Sequence, residues 1–205
     1  HDISEKPPAI LTPDKHKVIH INFSPADVDD VYIPTYEIIG DVSHTLWSLA
    51  EKIQVQKTWD FSYFFKVRDA LKRSIKNSVD NKKFPFLPAK IVEDVYQTMP
   101  EDGILALDNG MYKIYFARNY KAREQNSVLL DNALATMGAG LPSGIAAKIL
   151  FPKKKVLIIS GDGGIVMNIA ELETACRLKL DLTILILNDS GFGMIRWKQE
   201  DMQMQ

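Results

Sequence analysis

Residues Lys155 to Asn168 read KVLIISGDGGIVMN, and this stretch limits the possible folds more than any other in the chain. Val156 to Ile159 are four consecutive large aliphatic residues, the pattern of a strand buried on both faces of its sheet. Such a strand normally hands over to a short polar turn. Here it meets Gly161-Asp162-Gly163-Gly164, three glycines around one carboxylate. Without side chains, glycines let backbone N–H groups reach an anion at the start of the next helix, whose dipole favours negative charge.

The sequence around this stretch has a regular rhythm. A helix is expected over Pro88 to Thr98, a strand over Gly103 to Asp108 and a glycine-rich helix start after Met137. The Val156 strand, a helix around Ile169 to Leu178 and a strand over Leu182 to Leu187 follow. Strands alternating with helices predict an α/β fold, a parallel sheet flanked by helices. Ligands of such sheets sit outside the carboxyl ends of the strands, where Asp108, Asp162 and Asp189 all fall.

Nearer the N-terminus, KVIHINF (Lys17 to Phe23) and YEIIGDV (Tyr36 to Val42) are strand-like, and Ser24 is a candidate helix cap. SHTLWSLAEKI then places Leu46, Leu49, Ala50 and Ile53 at helical spacing. Trp59 to Asn81 form an amphipathic linker region, and the two prolines of FPFLP mark a boundary near residue 87. The expected spans are therefore 1–58, a linker over 59–87, and a second unit over 88–205. The chain opens on His1-Asp2-Ile3 and stops at EDMQMQ soon after a strand and its loop, so a piece of a larger polypeptide is expected.

Composition removes several classes of function. The 25 Lys+Arg against 26 Asp+Glu form no basic stripe able to neutralise a phosphate backbone, so nucleic acid is not an expected partner. The longest apolar stretches, such as Leu182 to Leu187, are far shorter than the roughly 20 residues of a membrane span. A single cysteine, Cys176, precludes an internal disulfide and fits a cytoplasmic setting. With 205 residues, 46% of them hydrophobic, the chain can bury a sizeable core.

Spacing ties the aspartates together. The 24 residues from 164 to 187 separate Gly161-Asp162-Gly163 from Asn188-Asp189, enough for one helix, one strand and a right-handed crossover. The two strand ends then lie side by side, and Asp162 and Asp189 can face one cation. Carboxylate and carbonyl oxygens suit a hard octahedral ion that takes its other ligands from phosphate oxygens, which describes Mg2+ carrying a diphosphate.

GDG, a stretch of this length and then Asn-Asn or Asn-Asp is the signature of the thiamine diphosphate-dependent enzymes. LATMGAGLPSGIAAKI (Leu134 to Ile149), NIAELETACRLKLDLTILILNDSGFGMI (Asn168 to Ile195) and KVIHINFSPADVDDVYIPTYEIIGDV (Lys17 to Val42) resemble acetolactate synthase, also called acetohydroxyacid synthase. The resemblance implies that residues 1–58 are the later part of a Rossmann-like α/β central domain. Residues 88–205 would be the first part of the domain that binds thiamine diphosphate and Mg2+, C-terminally incomplete. It implies Asp162 and Asp189 as metal ligands through side chains and Gly191 through its carbonyl. The backbone at Gly161, Gly163 and Gly164 would lie along the diphosphate. Met137 would prop the cofactor in a bent conformation, with the Ala135 carbonyl facing its amino group. Gly110, Met111 and Tyr112 match a second diphosphate loop, where Met111 and Tyr112 replace a commoner Gln-His pair and contact must be through the backbone. Met194 matches a residue near the substrate.

The implied reaction decarboxylates pyruvate and ligates the two-carbon remainder to a second 2-oxoacid, giving 2-acetolactate, in a branched-chain amino acid or acetoin pathway. The activating glutamate of the family belongs to a pyrimidine-binding domain outside this chain, so no catalytic residue is assigned here and the isolated fragment is expected to be inactive. The intact protein is expected to be a homodimer or tetramer. Many such enzymes bind FAD in the central domain. Asn22 stands where flavin-binding relatives often carry Asp, although Gly40-Asp41-Val42 is kept, so the reading leans to a flavin-independent, catabolic enzyme. Two rivals are another thiamine diphosphate-dependent 2-oxoacid decarboxylase or carboligase, and a non-catalytic Rossmann-like fragment holding some other phosphate.

Bland roles are expected for several other residues. An aspartate after a buried strand also serves as a helix cap or turn former, but two at this spacing favour the metal reading. Glu171 and Glu173 read as solvated residues of a helix N-terminal half. His20 and His44 read as structural histidines and Cys176 as a small hydrophobe. Trp197 and Lys198 lie where the family keeps a tryptophan near the substrate channel, with the tryptophan one position early.

Overall fold

The computed structural model describes residues 15–26, 33–80, 83–132 and 134–203. The chain divides between Phe61 and Ser62 into two compact units. The first contains two short strands, β1 (Ile19–Asn22) and β2 (Tyr36–Ile39), paired in parallel with Ile19 opposite Tyr36. Helix α1 (Val42–Lys52) follows, and its start is fixed by Asp41, whose carboxylate accepts from the His44 amide at 2.6 Å. That is an ordinary side-chain cap. Asn22 folds back at the end of β1, its side-chain oxygen accepting from the Phe23 amide at 2.8 Å. The capped segment expected after Ser24 falls largely on residues 27–32, outside the described residues.

The second unit begins with α2 (Ser62–Val79), an 18-residue helix in the span expected as a linker, none of whose residues is buried. Helix α3 (Pro88–Thr98) starts with Pro88 in its first turn, where a missing N–H costs nothing. Its last turn is held by Arg123, which donates to Tyr96 O and Met99 O and stacks over the Tyr96 ring.

Beyond α3 the rhythm expected from the sequence is present with additions. Strand β3 (Ile104–Leu107), helix α4 (Met111–Asn119), strand β4 (Val128–Leu130), helix α5 (Gly140–Leu150) and strand β5 (Val156–Gly161) come first. Short helices α6 (Asp162–Met167) and α7 (Glu171–Arg177), strand β6 (Thr183–Leu187) and helix α8 (Gly193–Asp201) complete the unit. The four strands pair in parallel in the order β4-β3-β5-β6, the α/β architecture read from the sequence.

Side-chain alternation explains the layers. Leu105, Leu107, Leu157 and Ile159 point to one face, where Val92 and Val95 of α3 and Phe116 of α4 cover them. Ala106 and Ile158 point to the other, under Leu141 and Ile145 of α5, Ile165 of α6 and Ala175 of α7. A sheet covered on both faces needs apolar residues at every position, hence the unbroken runs ILAL and VLII.

The strand order also places the site. From β3 the chain crosses to β4 on one side, and from β4 it returns past β3 to β5 on the other. The connections therefore diverge between β3 and β5, and the crevice at that switch point is where such sheets bind ligands.

Helix α5 lies close on β5 because Gly144 has no side chain: a methyl there would overlap Cγ1 and Cδ1 of Ile158, which is fully buried. Ile158→Ala should cost about 2–5 kcal/mol. Gly144→Ala should then be more favourable in the Ile158→Ala background than in the wild type by over about 1 kcal/mol, since its methyl fills the vacated space. Urea unfolding of the double-mutant cycle measures this, and additive effects would show that the two residues do not meet.

Candidate functional site

Four segments meet at the switch point, and Asp108 joins three of them. It follows β3 and is fully buried. Its Oδ1 accepts from the amides of Asn109 and Gly138, both at 2.7 Å, and its Oδ2 from the Ser160 hydroxyl at 2.6 Å. A buried carboxylate is tolerable only with such donors. Glycines make room for it: a side chain on Gly164 would overlap Asp108 Oδ2, and one on Gly140 would lie 2.7 Å from Asp108 Cβ. Gly164 is thus occupied with packing against this carboxylate.

Asp108 fixes the start of the TMG segment, which a second tie completes. Asn168 donates from Nδ2 to Gly138 O at 2.8 Å. That bond falls between α6 and α7; the sequence predicted a single helix in this crossover, around Ile169 to Leu178, which corresponds to α7. Gly138 has φ +87, and a Cβ there would lie 2.7 Å from Asn168 Nδ2, so only glycine fits. Ala135 takes φ +50 without being glycine, a conformation that persists only when neighbours impose it. The Met137 methyl lies 3.4 Å from where a Cβ on Gly163 would stand, so the TMG segment and the glycine turn come together as expected.

At β5 the strand runs through Gly161 directly into α6, with Asp162 as its first residue and no intervening turn. The amides of a first helical turn can meet an anion, and the Asp162 carboxylate beside them a cation. Gly161 pairs with Leu187 of β6, so Asp162 follows one strand end at once and Asp189 the other two residues later. Asn188 shapes this second turn: its Oδ1 accepts from the Ser190 amide at 2.8 Å, and Ser190 takes φ +58. Beyond it, Arg196 Nη2 lies 2.5 Å from the Cβ position of Gly191, and the Phe192 ring stands equally close to that of Gly163. Asp189 Oδ2 and Met111 both border Gly193.

Oxygen donors dominate this edge: the carboxylates of Asp162 and Asp189 and the carbonyl of Gly191. Among the described residues no three His, Cys, Asp or Glu side chains form a metal cage. Two carboxylates and a carbonyl leave positions for phosphate oxygens, which fits Mg2+ and a diphosphate.

Gly110, Met111 and Tyr112 open α4 beside Gly161. The Tyr112 ring covers both glycines, 2.5 Å and 3.0 Å from their Cβ positions. Its hydroxyl is buried and makes no hydrogen bond of good geometry among the described residues. Burial raises its pKa from 10.0 to about 12, helped by the charges of Asp108 and Asp162, while the nearby Gly161 amide and Ser160 hydroxyl pull the other way. Met194 is half-exposed in α8, where Trp197 and Lys198 are also exposed, and Lys198 pairs with Asp201. Sequence reading missed the roles of Asn109, Asn168 and Asn188. It placed Asp108 at the strand edge without seeing that its carboxylate holds other segments.

Two consequences are measurable. Asp108→Ala should cost about 3 kcal/mol or more, because three buried donors lose their acceptor. Asp108→Asn should cost only about 1 kcal/mol, since one oxygen survives and Ser160 can accept from the amide. Equal losses in urea unfolding would contradict this junction. For Tyr112 the unfolded phenol ionises near 10 and the folded one near 12, so its contribution is complete below pH 10 and lost as pH rises through 12. Unfolding free energies from pH 9 to 12 should fall less steeply in Tyr112→Phe, and parallel profiles would contradict the raised pKa.

Comparison with known proteins agrees with this geometry. The profile of the family described as thiamine pyrophosphate enzyme, C-terminal TPP binding domain, matches residues 108–205. The catabolic acetolactate synthase of Raoultella terrigena is 29% identical over 199 residues, 96% of this chain and 36% of that protein. Acetolactate synthase of Bacillus subtilis (strain 168) is 28% identical over 185 residues, and isozyme 1 large subunit of Escherichia coli (strain K12) 28% over 183 residues. Each of these two alignments covers 89% of this chain and 32% of the relative. The chain thus spans about a third of the length of these relatives. Residues 108–205 thus match a thiamine diphosphate-binding domain, and most of the chain is similar to acetolactate synthases, which are thiamine diphosphate-dependent enzymes.

Proposed function

We propose that the protein is a thiamine diphosphate- and Mg2+-dependent acetolactate synthase, acting on pyruvate as a cytoplasmic homodimer or tetramer. The observation that carries the reading is the β5–β6 register, which sets Asp162 and Asp189 at one sheet edge. The names of the relatives support the choice of reaction. When bound, the cofactor supplies the electron sink that lets a 2-oxoacid lose carbon dioxide and its remaining carbons join a second carbonyl. Asp162, Asp189 and the Gly191 carbonyl would hold the metal, and the Gly163 amide would meet phosphate oxygens. Met137 would press on the cofactor from the segment anchored by Asp108, with the Ala135 carbonyl facing its amino group. Phe192 and Met137 form an apolar wall that would keep water from the mouth of the cleft. None of the described residues is assigned to proton transfer, and the activating glutamate is proposed to come from outside this chain. At β1, Asn22 uses its side-chain oxygen locally, which supports a flavin-independent enzyme.

Calorimetric titration of the full-length protein should show thiamine diphosphate binding only with a divalent ion. Asp162→Ala should weaken binding by about a hundredfold or more, beyond the effect of losing an outer partner of a metal ligand. Asp189→Asn should be milder because an oxygen ligand survives. Unchanged affinity in Asp162→Ala would refute the metal assignment. Acetaldehyde as the sole product from pyruvate would identify a decarboxylase in place of the synthase.

A further inference from the structure

Lys113 is the third residue of α4, beside the loop assigned to the diphosphate, and a lysine there invites reading as a phosphate ligand. Its ammonium group is already engaged. Nζ donates to Asn109 Oδ1 and to the main-chain carbonyl of Asp131. Asn109 donates from Nδ2 to Thr136 O at 2.7 Å, and the Thr136 amide donates to Asp131 Oδ2 at 3.1 Å. These four bonds close a ring: Lys113, Asn109, Thr136, Asp131 and back to Lys113. The ring spans the first turn of α4 and the segment that follows β4, which carries Ala135 and Met137.

We propose that Lys113 is a positioning residue that locks the Ala135–Met137 segment against the end of β3, and that it does not bind phosphate. Three features of the site require such a lock. Asp131 and Thr136 bond across a short bend that must be held in register, and Ala135 sits at φ +50 between them. Thr136 has both backbone groups bonded to side chains, one from each side of the ring. Gly138, two residues on, is fixed separately through Asp108 and Asn168, so Lys113 governs the one stretch those residues do not hold. Burial lowers the Lys113 pKa, opposed by the carboxylates of Asp131 and Asp108. Only the link from this lock to catalysis rests on the function proposed above.

Hydrogen exchange followed by mass spectrometry on the full-length protein, without cofactor or metal, tests the lock directly. Lys113→Met keeps the aliphatic stem and removes the donors. Exchange at the Thr136 amide should quicken by about tenfold or more, while β3 and β5 stay protected. Lys113→Arg, with donors enough for both acceptors, should restore most of the protection. Asn109→Ala, which opens the ring at another point, should give the same local signature, and it serves if Lys113→Met fails to fold. The second arm titrates inorganic pyrophosphate with Mg2+. Its affinity should be the same in Lys113→Met and wild type. Unchanged exchange at Thr136 together with a tenfold or greater loss of pyrophosphate affinity would overturn the proposal in favour of a phosphate ligand. Absence of pyrophosphate binding in the wild type would count against the proposed function and leave the exchange result to decide the role of Lys113.

Discussion

A single buried carboxylate organises the binding edge of the four-stranded sheet. Asp108 lies under the carboxyl edge of the sheet with its charge met by two amides and a hydroxyl, and each donor belongs to a segment that contributes to the site. Glycine at 140 and 164 allows helices α5 and α6 to close around it. The glycine-rich sequence therefore serves two purposes. Gly163 makes room for the Phe192 ring and the Met137 methyl, whereas Gly164, its neighbour, makes room for Asp108. A pattern that reads as one phosphate loop is, in the fold, also a packing surface for three side chains.

How far the sequence discloses this depends on whether the signal is local. Strands β3 and β5 were legible because burial on two faces leaves no polar residue in either. The adjacency of the β5 and β6 ends, which Asp162 and Asp189 follow, was legible because a single crossover sets neighbouring strand ends side by side. Helices α4 and α8 left little trace: α4 buries only Phe116 and α8 buries nothing, so neither shows an apolar stripe. Strand β4, three residues at the sheet edge, is too short to announce itself. The role of Asn168 was also hidden, since its partner, the Gly138 carbonyl, lies 30 positions earlier.

The departures from the commoner family pattern are concentrated in the first turn of α4. Met111 borders Gly193 next to Asp189, and Tyr112 covers Gly110 and Gly161, so both side chains pack around glycines of this edge. Such substitutions leave backbone amides free to bind while changing what surrounds them. The loop can thus keep its geometry with different side chains, because its shape is set from beneath by Asp108 and not by the residues at its tip.

The strand order has a kinetic consequence. Ser160 is 52 positions from the carboxylate it serves, and β3 cannot have both neighbours until β4 and β5 have formed. Non-local pairings of this kind bear their loop-closure entropy before any contact rewards them, which slows assembly. During synthesis, Asp108 leaves the ribosome well before the hydroxyl and glycine that will enclose it. Native burial of this carboxylate therefore depends on a segment made later, the one that brings Ser160 and Gly164.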